Sequence, residues 1–184
     1  MTERPFICRG HEVRAILDGR KTQARRIVKP PLGYQSPEDF HEYAKITKTT
    51  SGLVVEQGED DILLVCPYGK TGDRLWVRES WYESPMTGEC KYKADGEVIG
   101  WRPRPSIHMP RWASRITLEV TSIRCERLQD ISVDDCIAEG MDPHPKAHIG
   151  PYQEYHDLWE LIHGKGSCDA NQYVWVVEFK RVTP

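Results

Sequence analysis

Apolar positions recur along this chain at two spacings, and each change of spacing marks a change of element. Val13, Ile16 and Leu17 fall at i, i+3 and i+4 and predict a short helix over 12–18. Gly19 follows where a left-handed C-terminal residue is expected, with Arg20 and Lys21 at the partly negative helix end. After the breakers Pro30, Pro31 and Gly33, residues 44–49 and 53–56 predict a hairpin about Thr50, Ser51 and Gly52, and 62–65 a third short strand. Period-two alternation returns over 74–81, behind the turn Thr71-Gly72-Asp73. It puts Leu75, Val77 and Trp81 on one face and Trp76, Arg78 and Ser80 on the other. Residues 91–98 read as a hairpin around Asp95 and Gly96, and 116–121 as a strand with Ile116, Leu118 and Val120 inward. Ser132 is a good N-cap for a helix over 133–139 that Gly140 closes. Tyr155, Leu158, Trp159 and Ile162 stripe a helix over 152–163, and 173–182 is the final strand, with Tyr173, Trp175, Val177 and Phe179 on one side. Few strands are joined by the helix-length crossovers of a parallel sheet. The expected fold is therefore α+β, a mixed β-barrel with peripheral helices and inserted hairpins, in a single domain over 1–184.

Composition narrows the class. Charged residues make up 29% of the chain and hydrophobic ones 39%, which suits a folded domain. No apolar run approaches a membrane span, and the first six residues hold no apolar leader core, so a cytoplasmic protein without a membrane partner is expected. Six cysteines without a Cys-x-x-Cys pair then read as reduced thiols. His144 and His148 have helical spacing, but Pro145 lies between them and no third ligand follows; neither a metal nor a cofactor is expected. The formal net charge is −3, so any nucleic-acid binding must come from a local basic patch.

Two stretches offer such a patch. In the first, Arg20, Lys21, Arg25 and Arg26 crowd into seven residues, and they repel one another unless carboxylates or an anion stand near; alternatively, this is a solvated basic turn. Glu139 lies in the last turn of its helix, where the dipole disfavours a negative charge, and pairing with those cations would explain it. In the second, Trp101, Arg102, Arg104, Arg111, Trp112 and Arg115 interleave, and three prolines predict an extended segment with free backbone groups. Guanidinium groups on phosphates and indoles under bases suit this composition, as does a loop with pinned tryptophans and solvated arginines. Trp76 and Arg78 extend the candidate surface. Gly69-Lys70-Thr71 is not a phosphate loop, because the remaining glycine spacing is missing.

The string Gly19-Arg20-Lys21-Thr22-x-x-x-Arg26 resembles the signature of the ASCH family, roughly G-x-K-x-x-T-x-R, with Ala24 at the threonine position. ASCH domains belong to the PUA-like superfamily of small β-barrels associated with RNA and modified nucleosides. The run from Trp101 to Arg115 is similar to that of phage and prophage ASCH-domain proteins. The Gly19–Arg26 motif, the Thr71-Gly72-Asp73 turn with its strand, the unit over 118–141 and the ending over 176–180 also resemble bacterial N(4)-acetylcytidine amidohydrolases, with insertions near 30–66, 82–112 and 142–172. In those enzymes a threonine attacks, a lysine three residues earlier activates it and a glutamate moves the proton. The resemblance carries the lysine role to Lys21, the glutamate role to Glu139 and the nucleophile's position to Ala24; Thr22 is the nearest hydroxyl that could substitute. It implies binding of RNA or a modified nucleoside, a cytidine derivative among them, within a bacterial host's cytoplasm if the chain is phage-encoded. The alternatives are a hydrolase (amidohydrolase or ribonuclease) and a phage structural or host-interaction protein.

Overall fold

The computed structural model describes residues 1–30, 40, 45–49, 52–57, 60–144 and 149–182. In chain order its elements are β1 (Glu3–Ile7), α1 (Gly10–Leu17), β2 (Gln23–Ile27), β3 (Lys45–Thr49), β4 (Gly52–Gln57), β5 (Asp60–Leu64), β6 (Arg74–Arg78), β7 (Trp81–Glu83), β8 (Cys90–Tyr92), β9 (Thr117–Arg127), α2 (Val133–Ala138), α3 (Pro151–His163) and β10 (Tyr173–Val182). The class is α+β. Five strands form a mixed sheet in the order β1-β6-β9-β10-β2, with β3-β4-β5 and β7-β8 as smaller sheets. The chain divides into two compact units, Met1–Thr22 with Tyr68–Ser122 and Glu178–Pro184, and Gln23–Pro67 with Ile123–Val177.

In the first unit β1 runs parallel to β6, with Phe6 opposite Val77, while β6 runs antiparallel to β9, with Leu75 opposite Leu118. Period-two alternation turns Phe6, Leu75, Val77, Leu118 and Val120 inward, each at most 1% exposed. Asp73 fixes the entry to β6: its carboxylate accepts from the backbone N–H of Thr2 (2.8 Å) and of Lys70 (3.2 Å). Gly69 has φ +97°, and a Cβ there would stand 2.7 Å from Asp73 Oδ2, so only glycine fits. A separate cluster packs Trp81 on Met109 and Ala113.

In the second unit β3, β4 and β5 form an antiparallel meander where a hairpin and a third strand are expected. Helices α2 and α3 share a core of Cys136, Met141, Tyr155 and Trp159 with Val174 and Val176 of β10. Pro151 starts α3 at the position where its missing N–H costs nothing. Among the described residues no helix is long and apolar enough to cross a membrane.

Several expected elements differ. The strand expected over 74–81 ends at Arg78, and Trp81 opens β7, whose partner is β8. No hairpin forms around Asp95 and Gly96: residues 93–95 make a 3-10 turn, and the hairpin turns at 84–89, where Gly88 has φ +69°. Asp95 is instead held by Arg115, at 2.6 Å. β9 runs six residues past Thr121, to Arg127. On β10 both faces are buried over 174–177: Val174 and Val176 pack into the core with Tyr155 and Trp159 of α3, and Trp175 and Val177 are buried on the opposite face.

Candidate functional site

The basic motif is divided between the two units after Thr22. Its first half is shaped by the end of α1. Gly19 takes φ +75°, and the N–H groups of Gly19 and Arg20 return to the carbonyls of Ile16 (3.1 Å) and Ala15 (2.9 Å), the paired bonds of a glycine-closed helix. Arg20 stays exposed beside Asp18 at 3.2 Å. Lys21 turns inward; its side chain is 3% exposed and its Nζ lies 3.8 Å from Glu12 Oε1. Thr22 is exposed, whereas Ala24 is fully buried, so the Thr22 hydroxyl does not occupy the place of the residue-24 side chain.

The second half carries the most concentrated chemistry among the described residues. Gln23 and Arg25 point to one face of β2, as period two requires, and Arg25 has no side-chain exposure. Its Nη1 donates to Glu139 Oε1 at 3.2 Å, and its Nη2 reaches Glu126 Oε1 and Asp135 Oδ2, the latter at 3.3 Å. Arg124, from the extension of β9, donates to Glu126 Oε2 (3.0 Å), Asp135 Oδ1 (2.8 Å) and Gln23 Oε1 (3.2 Å). Two guanidinium groups thus interleave with three carboxylates, leaving one negative charge in excess within the five. The cluster is sealed at Arg25 and Glu139 and reaches solvent through Arg124, Glu126 and Asp135, whose side chains are 24%, 18% and 21% exposed.

Helix α2 presents the acids. Ser132 Oγ accepts from Asp135 N at 3.0 Å, and Gly140, at φ +100°, ends the helix immediately after Glu139. Burial alone would raise the Asp135 carboxyl, but the Ser132 hydroxyl and N–H, reinforced by the Arg25 charge, outweigh it and hold the group at about 2. Burial, then the charge of Glu139, pushes the Tyr155 phenol well above its ordinary range, so it stays neutral. Burial also pushes the Cys136 thiol up to about 11, which keeps it an inert core group. Two buried polar atoms of this network have no hydrogen-bond partner among the described residues: Arg25 Nε and the Tyr155 hydroxyl.

The remaining candidates lie elsewhere. Arg26 is half-buried and its Nη1 donates to the Arg25 carbonyl at 3.0 Å. In the first unit Arg78 stacks over Trp76 at 5.4 Å. The segment from Trp101 to Arg115 is not free extended backbone. Arg104 and Trp81 exchange N–H to carbonyl bonds of 2.7 and 3.2 Å, and 3-10 turns occupy 106–108 and 111–113. Three of its arginines are engaged by carboxylates: Arg104 by Glu83 (2.8 Å), Arg111 by Glu3 (2.9 Å) and Arg115 by Glu79 (2.9 and 3.1 Å) and Asp95. Arg102 remains exposed, Trp101 lies 5.7 Å from Lys91 Nζ, and Trp112 is 65% exposed, edge-on to Trp81.

Sequence reasoning pairs Glu139 with the cations of the basic motif, and Arg25 is the cation that meets it. It misses Gln23, Arg124, Glu126, Asp135 and Tyr155. The alternation of Arg124 with Glu126 continues that of Leu118 and Val120 and is the signal that could have found them. His144 belongs to no cluster of metal-ligating atoms among the described residues, and His148 lies outside them. The atoms that could hold a metal are those of His156, Glu160 and Cys168, within 4.8 Å of one another. Glu160 already accepts from the N–H groups of Gly166 (2.8 Å) and Cys168 (3.3 Å), and burial first, then Glu160, pushes the Cys168 thiol up to about 11. No protein-family model matches this chain, nor does any curated protein or solved structure.

Proposed function

We propose that the chain is an ASCH-type domain, its sheet part of a PUA-like barrel, that binds RNA or a modified nucleoside at the Gln23–Arg25–Glu139–Tyr155 cluster. One observation carries this reading. A motif arginine with no side-chain exposure is bound to the helix-terminal Glu139, beside buried polar atoms that no described residue satisfies. Buried donors without partners cost about 1–3 kcal/mol each, and such costs recur where a ligand completes the network. A pyrimidine edge alternates donors and acceptors. A carboxylate accepts from an exocyclic amine, while a neutral phenol and an amide N–H donate to a ring nitrogen or carbonyl.

Turnover by a covalent route lacks its nucleophile, because the methyl group of Ala24 cannot attack a carbonyl. Binding without turnover is therefore the reading for this chain. The test is a side-by-side assay of N(4)-acetylcytidine with this chain and with Ala24→Thr, following both binding and deacetylation. Binding by both, with turnover by the threonine form only, supports the proposal. Turnover by the unaltered chain would make it a hydrolase that uses water. Binding by neither form, together with no salt-dependent binding of RNA, would contradict the proposal and favour a structural or host-interaction role.

A further inference from the structure

We infer that the first unit carries a binding site for the phosphate group of a nucleotide, in a cavity of about 450 Å³ lined by Arg9, Gly10, Arg14, Ser80, Lys93 and Ser106. The cations on its wall carry the argument. Arg9, Arg14 and Lys93 converge on the cavity from two elements, and none of them pairs with a carboxylate among the described residues. Arg14 is steadied by one bond, from Nη1 to the Ala94 carbonyl at 3.2 Å, which leaves the other side of its guanidinium fork available. Three like charges drawn together without counter-charge repel one another, and a dianion relieves that repulsion.

The uncharged wall has matching chemistry. Ser80 and Ser106 are half-buried hydroxyl donors on the same cavity. The backbone N–H groups of Gly10 and His11 open α1 and have no partner among the described residues, which adds the positive end of the helix to the cations. One carboxylate lines the cavity, that of Glu79, but Arg115 holds both its oxygens, at 2.9 and 3.1 Å. The volume lies within the range of about 300–1,000 Å³ typical of small-ligand pockets and exceeds what inorganic phosphate alone fills. The phosphate therefore belongs to a larger molecule, a nucleoside monophosphate or a stretch of nucleic-acid backbone.

This site is independent of the nucleoside cluster in the second unit, and the test separates the two. Isotope-labelled protein is titrated with inorganic phosphate, with cytidine 5′-monophosphate, with cytidine and with a short RNA bearing a 5′-hydroxyl, while the amide resonances of Gly10 and His11 are followed. The inference predicts that phosphate and the monophosphate shift both resonances and cytidine does not. Arg14→Gln and Lys93→Gln should each weaken this binding about tenfold. Both side chains are exposed, so the folded spectrum should otherwise persist. Equal occupancy by the RNA assigns the phosphodiester backbone as the source, and weaker occupancy assigns a mononucleotide; either supports the site. No shift at Gly10 and His11 with any phosphate-bearing probe, or shifts that neither variant alters, would overturn it. Loss of cytidine binding with phosphate binding intact would count against the second-unit reading alone.

Discussion

Arg25 is the residue on which the second unit's chemistry turns. Its guanidinium is fully buried and contacts three carboxylates, of which Glu126 and Asp135 also meet Arg124. Arg25→Met should cost about 3–5 kcal/mol in denaturant unfolding, the usual penalty for orphaning buried charge. Arg20→Ala breaks an exposed pair with Asp18 and should cost less than about 1 kcal/mol. Asp135 gives the cluster a pH signature. Its carboxyl lies at about 2 when folded, against an ordinary 3.8. A depressed folded value means that the contribution is present in full above the unfolded value and is lost as pH falls through the folded one. The stability gap between the unaltered chain and Asp135→Asn should thus hold from neutral pH to about pH 4 and shrink by about 2 kcal/mol between pH 4 and pH 2. Urea midpoints across that window check it, and a gap that does not change with pH would contradict the assigned contacts.

At the scale of elements, the ends of helices are the most legible features. Gly19 and Gly140 sit where the apolar stripe stops, and both adopt the left-handed backbone that closes a helix. The length of β9 is not legible by the same means. From Ser122 to Arg127 the burial is intermediate throughout, without the alternation that marks a half-buried strand. Those residues are held in part by charge pairs to β2 and α2, partners distant in sequence, and Arg124 and Glu126 went unseen for that reason. The Asp95-Gly96 pair misleads in the opposite sense. Its turn chemistry is real, but Gly96 takes φ +141°, far from the hairpin turn, and Arg115 claims the aspartate. Arg115 also covers Glu79, which is 1% exposed and whose carboxyl burial pushes upward. Arg115→Ala should therefore cost about 3–5 kcal/mol, whereas Arg111→Ala, which loses an exposed pair with Glu3, should cost less than about 1 kcal/mol. Thermal or urea unfolding of the two variants distinguishes a structural arginine from a surface one. Equal costs would mean that the Glu79 pair is not the anchor described.

At the scale of the molecule, the α+β class follows from the mixture of the two periodicities, and most strands and helices lie within a few residues of where those periodicities place them. The division into two units was not legible, because each unit is assembled from segments that the chain enters and leaves repeatedly. The basic motif straddles one of those crossings, so its cations have separate fates: Lys21 meets Glu12, and Arg25 meets Glu139. Charge repulsion in the motif foretold that carboxylates would be near; which ones depended on pairings across more than 100 residues of chain. We propose that the unsatisfied polar atoms around Arg25 and Glu139 are completed by a ligand. Tyr155→Phe is the decisive variant, since it deletes a hydroxyl that has no partner among the described residues. Urea unfolding and calorimetric titration with N(4)-acetylcytidine are measured on both proteins. The expected variant is at least as stable as the unaltered chain and binds the nucleoside about tenfold more weakly. A variant that binds equally well, or one that is destabilised with its affinity unchanged, would contradict it.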